Sequence, residues 1–265
     1  MFPRSRVFCA LAIAWLLSGL PLAQAGIDLG GGSISLGGGS LDMGCTQLSI
    51  AAAGSFSAGQ GRIVNLGGMS STGLVQGGLA LFELSGHWSN QGSFLPGQSS
   101  VLVTDACSAT SLISGNSSFW NLSIADIAGP VSFSAGSLQR VDNALVLRGR
   151  NANDLLSIRS SVPGQAAFLE LAMSGSQDIF HVSVRDNHAP AEGQALAVGD
   201  PADFQSVDAG GNSRWFRDSL PRPIPVSTLT PLATGMLLLL VFMLGLWRRP
   251  FLDLAAAQSY RRNKP

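Results

Sequence analysis

The sequence predicts an all-β chain built as a parallel β-helix, a solenoid in which short strands stack coil upon coil. Three observations carry that prediction. A short phrase recurs as GSFSAGQ from Gly54, GSFLPGQ from Gly92 and VSFSAGS from Val131, which sets Phe56, Phe94 and Phe133 at nearly equal intervals along the chain. That interval is two coils of about 19 residues, close to the lower end of the usual repeat range. Hydrophobic residues alternate with small or polar ones in short runs that end at Gly, Asn, Ser or Pro. The chain is also rich in glycine, 32 residues in 265, and only 12% charged, about half the ordinary share. An antiparallel β-sandwich with Phe-bearing hairpins is the alternative architecture.

The elements follow in order. Residues 1–25 have the three parts of a secretory signal: Arg4 and Arg6, an apolar run from Val7 to Leu20, and Ala23-Gln24-Ala25 as a small-x-small cleavage site after Ala25. Residues 26–219 form the expected exported β domain. In its opening stretch, GIDLGGGSISLGGGSLDMG, residues Leu29, Ile34, Leu36, Leu41 and Met43 alternate with small or polar residues, which favours short strands over a flexible linker. Candidate strands then include CTQLSIA, GRIVNLG, LALFELS, SSVLVTD, FWNLSIAD, GPVSFSA, ALVLRG, LLSIRSS, AAFLELAM and IFHVSVRD. Gly59, Gly97 and Gly136 suit turns that need positive φ, and the three phenylalanines are expected to align in an internal stack. Cys45 and Cys107 remain as an even pair beyond the leader, either bridged or buried as free thiols.

Residues 220–231, LPRPIPVSTLTP, carry four prolines and read as an extended linker. The apolar stretch through residues 232–247 is long enough, counted from Leu229, to cross about 30 Å of hydrocarbon. Trp247 suits the interface, and Arg248-Arg249 favour keeping that end in the cytoplasm, with residues 248–265 as a basic tail. Between residues 26 and 220, eight arginines meet fifteen acidic side chains, a net charge of −7. Such a surface repels phosphate backbones, so nucleic acid is not an expected partner.

Two resemblances add to this reading. The C-terminal end of the chain, from the proline-rich linker onward, resembles sorting signals of the PEP-CTERM type, and most closely the IPTL-CTERM variety. The matching residues are Ile224-Pro225 and Thr228-Leu229, with Val226-Ser227 inserted, followed by the apolar span and Arg248-Arg249. The resemblance implies a Gram-negative envelope protein, handled by the export machinery and inner membrane and processed by an exosortase. It also implies a place at the cell surface or in an exopolysaccharide matrix. An unprocessed end would leave the domain anchored in the inner membrane and facing the periplasm. The second resemblance covers residues 30–216. The runs HWSNQGSF, FWNL, VSVRD (Val182–Asp186) and DAGGNSRW (Asp208–Trp215) look like secreted right-handed β-helix proteins of pectin-lyase-like shape, many of them non-enzymatic.

Chemistry is sparse. Catalytic members of that fold cluster acidic residues on one face; the candidates here are Asp178, Arg185 and Asp186, then Asp200, Asp203 and Asp208. The competing reading makes them solvated charges that keep exposed β surface from aggregating. His87, His181 and His188 have no Cys or second His at zinc-ligand spacing, although His181 and His188 could meet across a turn. No Gly-x-Ser-x-Gly elbow, P-loop or calcium-binding Asp run is present, so no catalytic residue, metal or cofactor is expected. Asn116 and Asn121, though in Asn-x-Ser sequons, read as turn or stack asparagines. Trp88, Trp120 and Trp215 are candidates for a sugar-stacking strip or for core filling. The function expected is that of a non-catalytic surface or matrix protein with a structural or adhesive role. A polysaccharide lyase or hydrolase is the alternative.

Overall fold

The computed structural model describes residues 26–127 and 129–216. Over them the chain winds into a β-solenoid of about eight coils. Every ladder between its strands is parallel, which excludes the antiparallel sandwich. Among the described residues there is one 3₁₀ turn, Pro201–Phe204, and no helix long and apolar enough to cross a membrane. Ala25, the proline-rich linker, Ile224, Pro225, Thr228, Leu229, the apolar span and Arg248-Arg249 lie outside the described residues.

Each coil passes three walls. The first wall contains Ile27–Leu29, Gln47–Ile50, the second halves of Arg62–Ser71 and Leu81–Asn90, then Ser111–Gly115, Val131–Phe133, Leu156–Ser160, Val182–Arg185 and Val207–Asp208. The second wall begins with Gly32–Ser35, Gly54–Ser57, Leu74–Gln76 and Ser93–Leu95. Its ladder then breaks and resumes with the first halves of Ser117–Ala125 and Leu138–Arg148, followed by Ala167–Leu171 and Asn187–His188. The third wall runs from Ser40–Asp42 through Ser100–Val103 to Ser176–Phe180.

The period of two places alternate side chains inside. Leu48, Met69, Trp88, Ile113 and Phe133 follow one another down the first wall. Ile63, Phe82, Val101, Leu122 and Leu145 do the same on the third. All ten are almost fully buried, each worth about 1.5–3 kcal/mol relative to exposure.

The repeated phrase resolves into two cases. Phe56 and Phe94 stand on the second wall with Val75 between them, so their interval is indeed two coils of equal length. Phe133 does not join that stack: it sits on the first wall, opposite Ile113 and Ser160. The phrase encodes a strand and a tight turn, and two different corners use it. Coils also lengthen beyond Val101: the step from Phe82 to Val101 takes far less chain than the later step from Ala144 to Ser176. Equal spacing therefore ceases to mean the same wall.

Close stacking has a local requirement at the corner between the second and third walls. Gly37, Gly59, Gly78 and Gly97 all adopt φ near +60°. The N–H following each of the last three donates to the preceding glycine's carbonyl: Gln60 to Gly37 (2.5 Å), Leu79 to Gly59 and Gln98 to Gly78 (both 2.6 Å). A Cβ at Gly59, Gly78 or Gly97 would run into the carbonyl of the glycine one coil before. Gly136 shares the positive φ but faces open space.

Cys45 and Cys107 form a disulfide, with Cα atoms 5.3 Å apart. Cys45 lies at the corner between the third and first walls of one coil, and Cys107 at the same corner three coils on. A direct stack of three steps would separate them by about 14 Å. Residues 104–110 therefore leave their own corner and run back along the solenoid, where the Cys107 N–H donates to Ser85 Oγ (2.6 Å).

Candidate functional site

The carboxylates singled out from the sequence are engaged in holding the chain together. Asp178 pairs with Arg148 on the preceding coil, both its oxygens accepting from Nη2 (2.7 and 2.6 Å). That hydrogen bonding, and then the charge itself, raises the Arg148 pKa above its ordinary value. Asp200 and Asp203 form a capping box at Pro201–Phe204. Asp208 Oδ1 accepts from the Gly210 N–H (2.9 Å) and from Asn212 Nδ2 (2.6 Å). Asp186, at φ +52°, turns the corner after Val182–Arg185, and its Oδ2 accepts from the Gly164 N–H (2.9 Å). No group of three His, Cys, Asp or Glu among the described residues could hold a metal ion.

The two end motifs can be read side chain by side chain. In VSVRD, Val182 and Val184 point inward, Arg185 is exposed and Asp186 makes the corner. In DAGGNSRW, Asp208 ties the loop, Gly210 and Gly211 supply positive φ, and Asn212 bonds both Val184 O (2.8 Å) and the Asn187 N–H (3.0 Å). Trp215 is 2% exposed and donates from Nε1 to Asn187 Oδ1 (3.1 Å). The motif locks the last described corner.

The aromatic strip does not form. Trp88 and Trp215 are core residues, and Trp120 alone of the three occupies an outward, half-buried position. His181 Nε2 lies 3.2 Å from Gln205 Oε1, and His188 Nε2 lies 3.0 Å from Gly211 O, so each histidine serves its own neighbour. Asn121 belongs to a polar row, donating to Ser100 Oγ (2.9 Å) and accepting from Asn143 Nδ2 (2.7 Å). Asn116 Oδ1 accepts from the Leu138 N–H (2.9 Å) at a corner.

Among the described residues, two concavities on the side walls stand out. The first, about 270 Å³, opens where the second-wall ladder breaks, bordered by Asn90, Ser93, Phe94, Asn116, Ser117 and Arg140. Behind it Phe82, Trp88, Phe94 and Phe119 meet as four rings, with centroids 4.9–6.3 Å apart, at the levels of the break. Trp88 Nε1 (3.0 Å) and Asn90 Nδ2 (3.2 Å) both donate to Ser117 Oγ, while buried Asn90 Oδ1 has no partner among the described residues. The break was not legible in the sequence; the one available signal was the crowding of Phe82, Trp88, Phe94 and Phe119.

The second concavity, about 230 Å³, lies on the first wall and is bordered by Ser157, Arg159, Pro163, Ser183, Arg185 and Asp186. Here Arg159 stands directly opposite Arg185 in register, with Ser157 opposite Ser183 beside them. No protein-family model, curated protein or solved structure matches this chain.

Proposed function

We propose that the chain is an exported, non-catalytic surface protein whose solenoid is of the right-handed β-helix type and whose outer walls serve a structural or adhesive role. A leader ending at Ala25 exports it, and the segment built on Ile224, Pro225, Thr228, Leu229, Arg248 and Arg249 sorts or anchors it. An exosortase-type enzyme and an exopolysaccharide are the partners this reading implies.

The observation that supports it is the regularity of the polar wall. Ser49, Ser70, Ser89 and Ser114 stand in register on the first wall, and Ser100, Asn121 and Asn143 form the hydrogen-bonded row on the third. Rows of neutral hydroxyl and amide groups at strand spacing suit contact with an extended, hydrated surface. The acids singled out from the sequence, Asp178, Asp186, Asp200, Asp203 and Asp208, take part in an ion pair, turn hydrogen bonds and a cap.

The test is a screen of the purified protein against acidic and neutral polysaccharides, scoring retention and cleavage separately. Retention without cleavage is the expected result. Cleavage lost on Asp186→Ala or Asp208→Ala would replace the proposal with a lyase or hydrolase. The intact mass of the protein from its host, with its cell fraction, tests the sorting element: a chain running to Pro265 in the inner membrane would remove it.

A further inference from the structure

We propose that Arg159 and Arg185 form a binding site for a single oxyanion group, a sulfate or a carboxylate, on the outer face of the first wall.

The arrangement departs from the way this protein places its other wall arginines. Arg62 pairs with Glu83 and Arg148 with Asp178, each on the next coil. Arg140 stands directly opposite Glu170 and is ion-paired to it. Arg159 occupies the same kind of position, yet what stands opposite is Arg185. Like charges directly opposite across a ladder are destabilising. Two like charges on adjacent strands repel, a cost that an anion held between them reverses.

The neighbours complete a site. Ser132 stands opposite Arg159 on the preceding coil, and the Arg159 Nε–H lies 3.4 Å from its Oγ. Ser157 and Ser183 share the outward face with the two arginines, two residue pairs along the ladder. The concavity between them can admit a group of sulfate or carboxylate size. The carboxylate bordering it, Asp186, sits 3.8 Å from Arg185 Nε and is already bonded to the Gly164 N–H. It offsets Arg185 in part and leaves the pair net positive. Guanidinium forks bind carboxylate and sulfate oxygens in paired, planar contacts, and the serine hydroxyls can donate to a third oxygen. The surrounding chain carries a net −7, which disfavours a densely charged polyanion and favours an isolated anionic group on an otherwise neutral ligand. This assignment does not depend on the adhesive role or on export.

The experiment uses the intact protein and inorganic sulfate, with acetate as a second arm and chloride at matched ionic strength as the control. Binding is followed by calorimetry and by the rise in unfolding midpoint that a native-state ligand produces. Saturable binding above the chloride control is expected, weakened by about tenfold or more in Arg159→Gln and in Arg185→Gln, each losing one charged fork. Arg62→Gln, on another wall, should leave it unchanged. The stronger of the two arms identifies the preferred oxyanion. No saturable binding of either anion, equal effects of chloride, or binding indifferent to both substitutions in variants with unchanged circular dichroism would overturn the assignment.

Discussion

Replacing both cysteines, Cys45→Ser with Cys107→Ser, should cost more than an ordinary surface substitution and should change how the solenoid unfolds. The bridge closes a segment of 62 residues. Constraint of an unfolded loop of that size is worth about 4 kcal/mol in the chain-entropy description. With a urea dependence of about 2–3 kcal/mol per molar, the midpoint should fall by roughly 1.3–2 M. A solenoid's coils contact only their neighbours, so without a tie its ends can open separately. The bridge spans three coil steps, joining the corner after Ser40–Asp42 to the loop after Ser100–Val103. The double variant should therefore show a broader transition, with amides of the first coils and of residues 104–110 exchanging before those of Val182–Arg185. Urea titration by circular dichroism, with hydrogen exchange read segment by segment, measures both effects. An unchanged midpoint and uniform exchange would refute the view that this loop ties the coils together.

Two further outcomes test the corners. Gly78→Ala and Gly136→Ala impose the same left-handed conformation on a side chain, about 1–2 kcal/mol. At Gly78 the new Cβ also meets the Gly59 carbonyl, adding roughly 1–3 kcal/mol as the stack is forced apart, while at Gly136 it meets open space. Equal losses in thermal unfolding would contradict the close stacking of that corner. Asp42 titrates below the ordinary carboxylate range because Asn65 Nδ2 and then the Gly44 N–H donate to it. A depressed folded-state pKa means that its contribution is present above the unfolded value and is lost as pH falls through the folded one. In Asn65→Ala, NMR titration should move the Asp42 midpoint upward, toward the usual value; an unmoved midpoint would remove Asn65 as the main cause.

The sequence alone determined the class of this protein and most of its inward face. Alternation in runs such as FWNLSIAD and VSVRD is a local property, set by the period of two, so Leu122, Ile124, Val182 and Val184 could be placed inside without a fold. The positive φ of Gly59, Gly97 and Gly136 is equally local, because it is a property of the glycine itself. What tertiary structure decided is register. Which residue lies opposite which depends on the summed lengths of the intervening coils, and these differ widely between the step from Phe82 to Val101 and the step from Ala144 to Ser176. For that reason Phe133 left the stack of Phe56 and Phe94, and residues 104–110 turned back to bring Cys107 to Cys45. For the same reason Arg159 came to face Arg185, a whole coil away along the chain but only one strand spacing away in the wall.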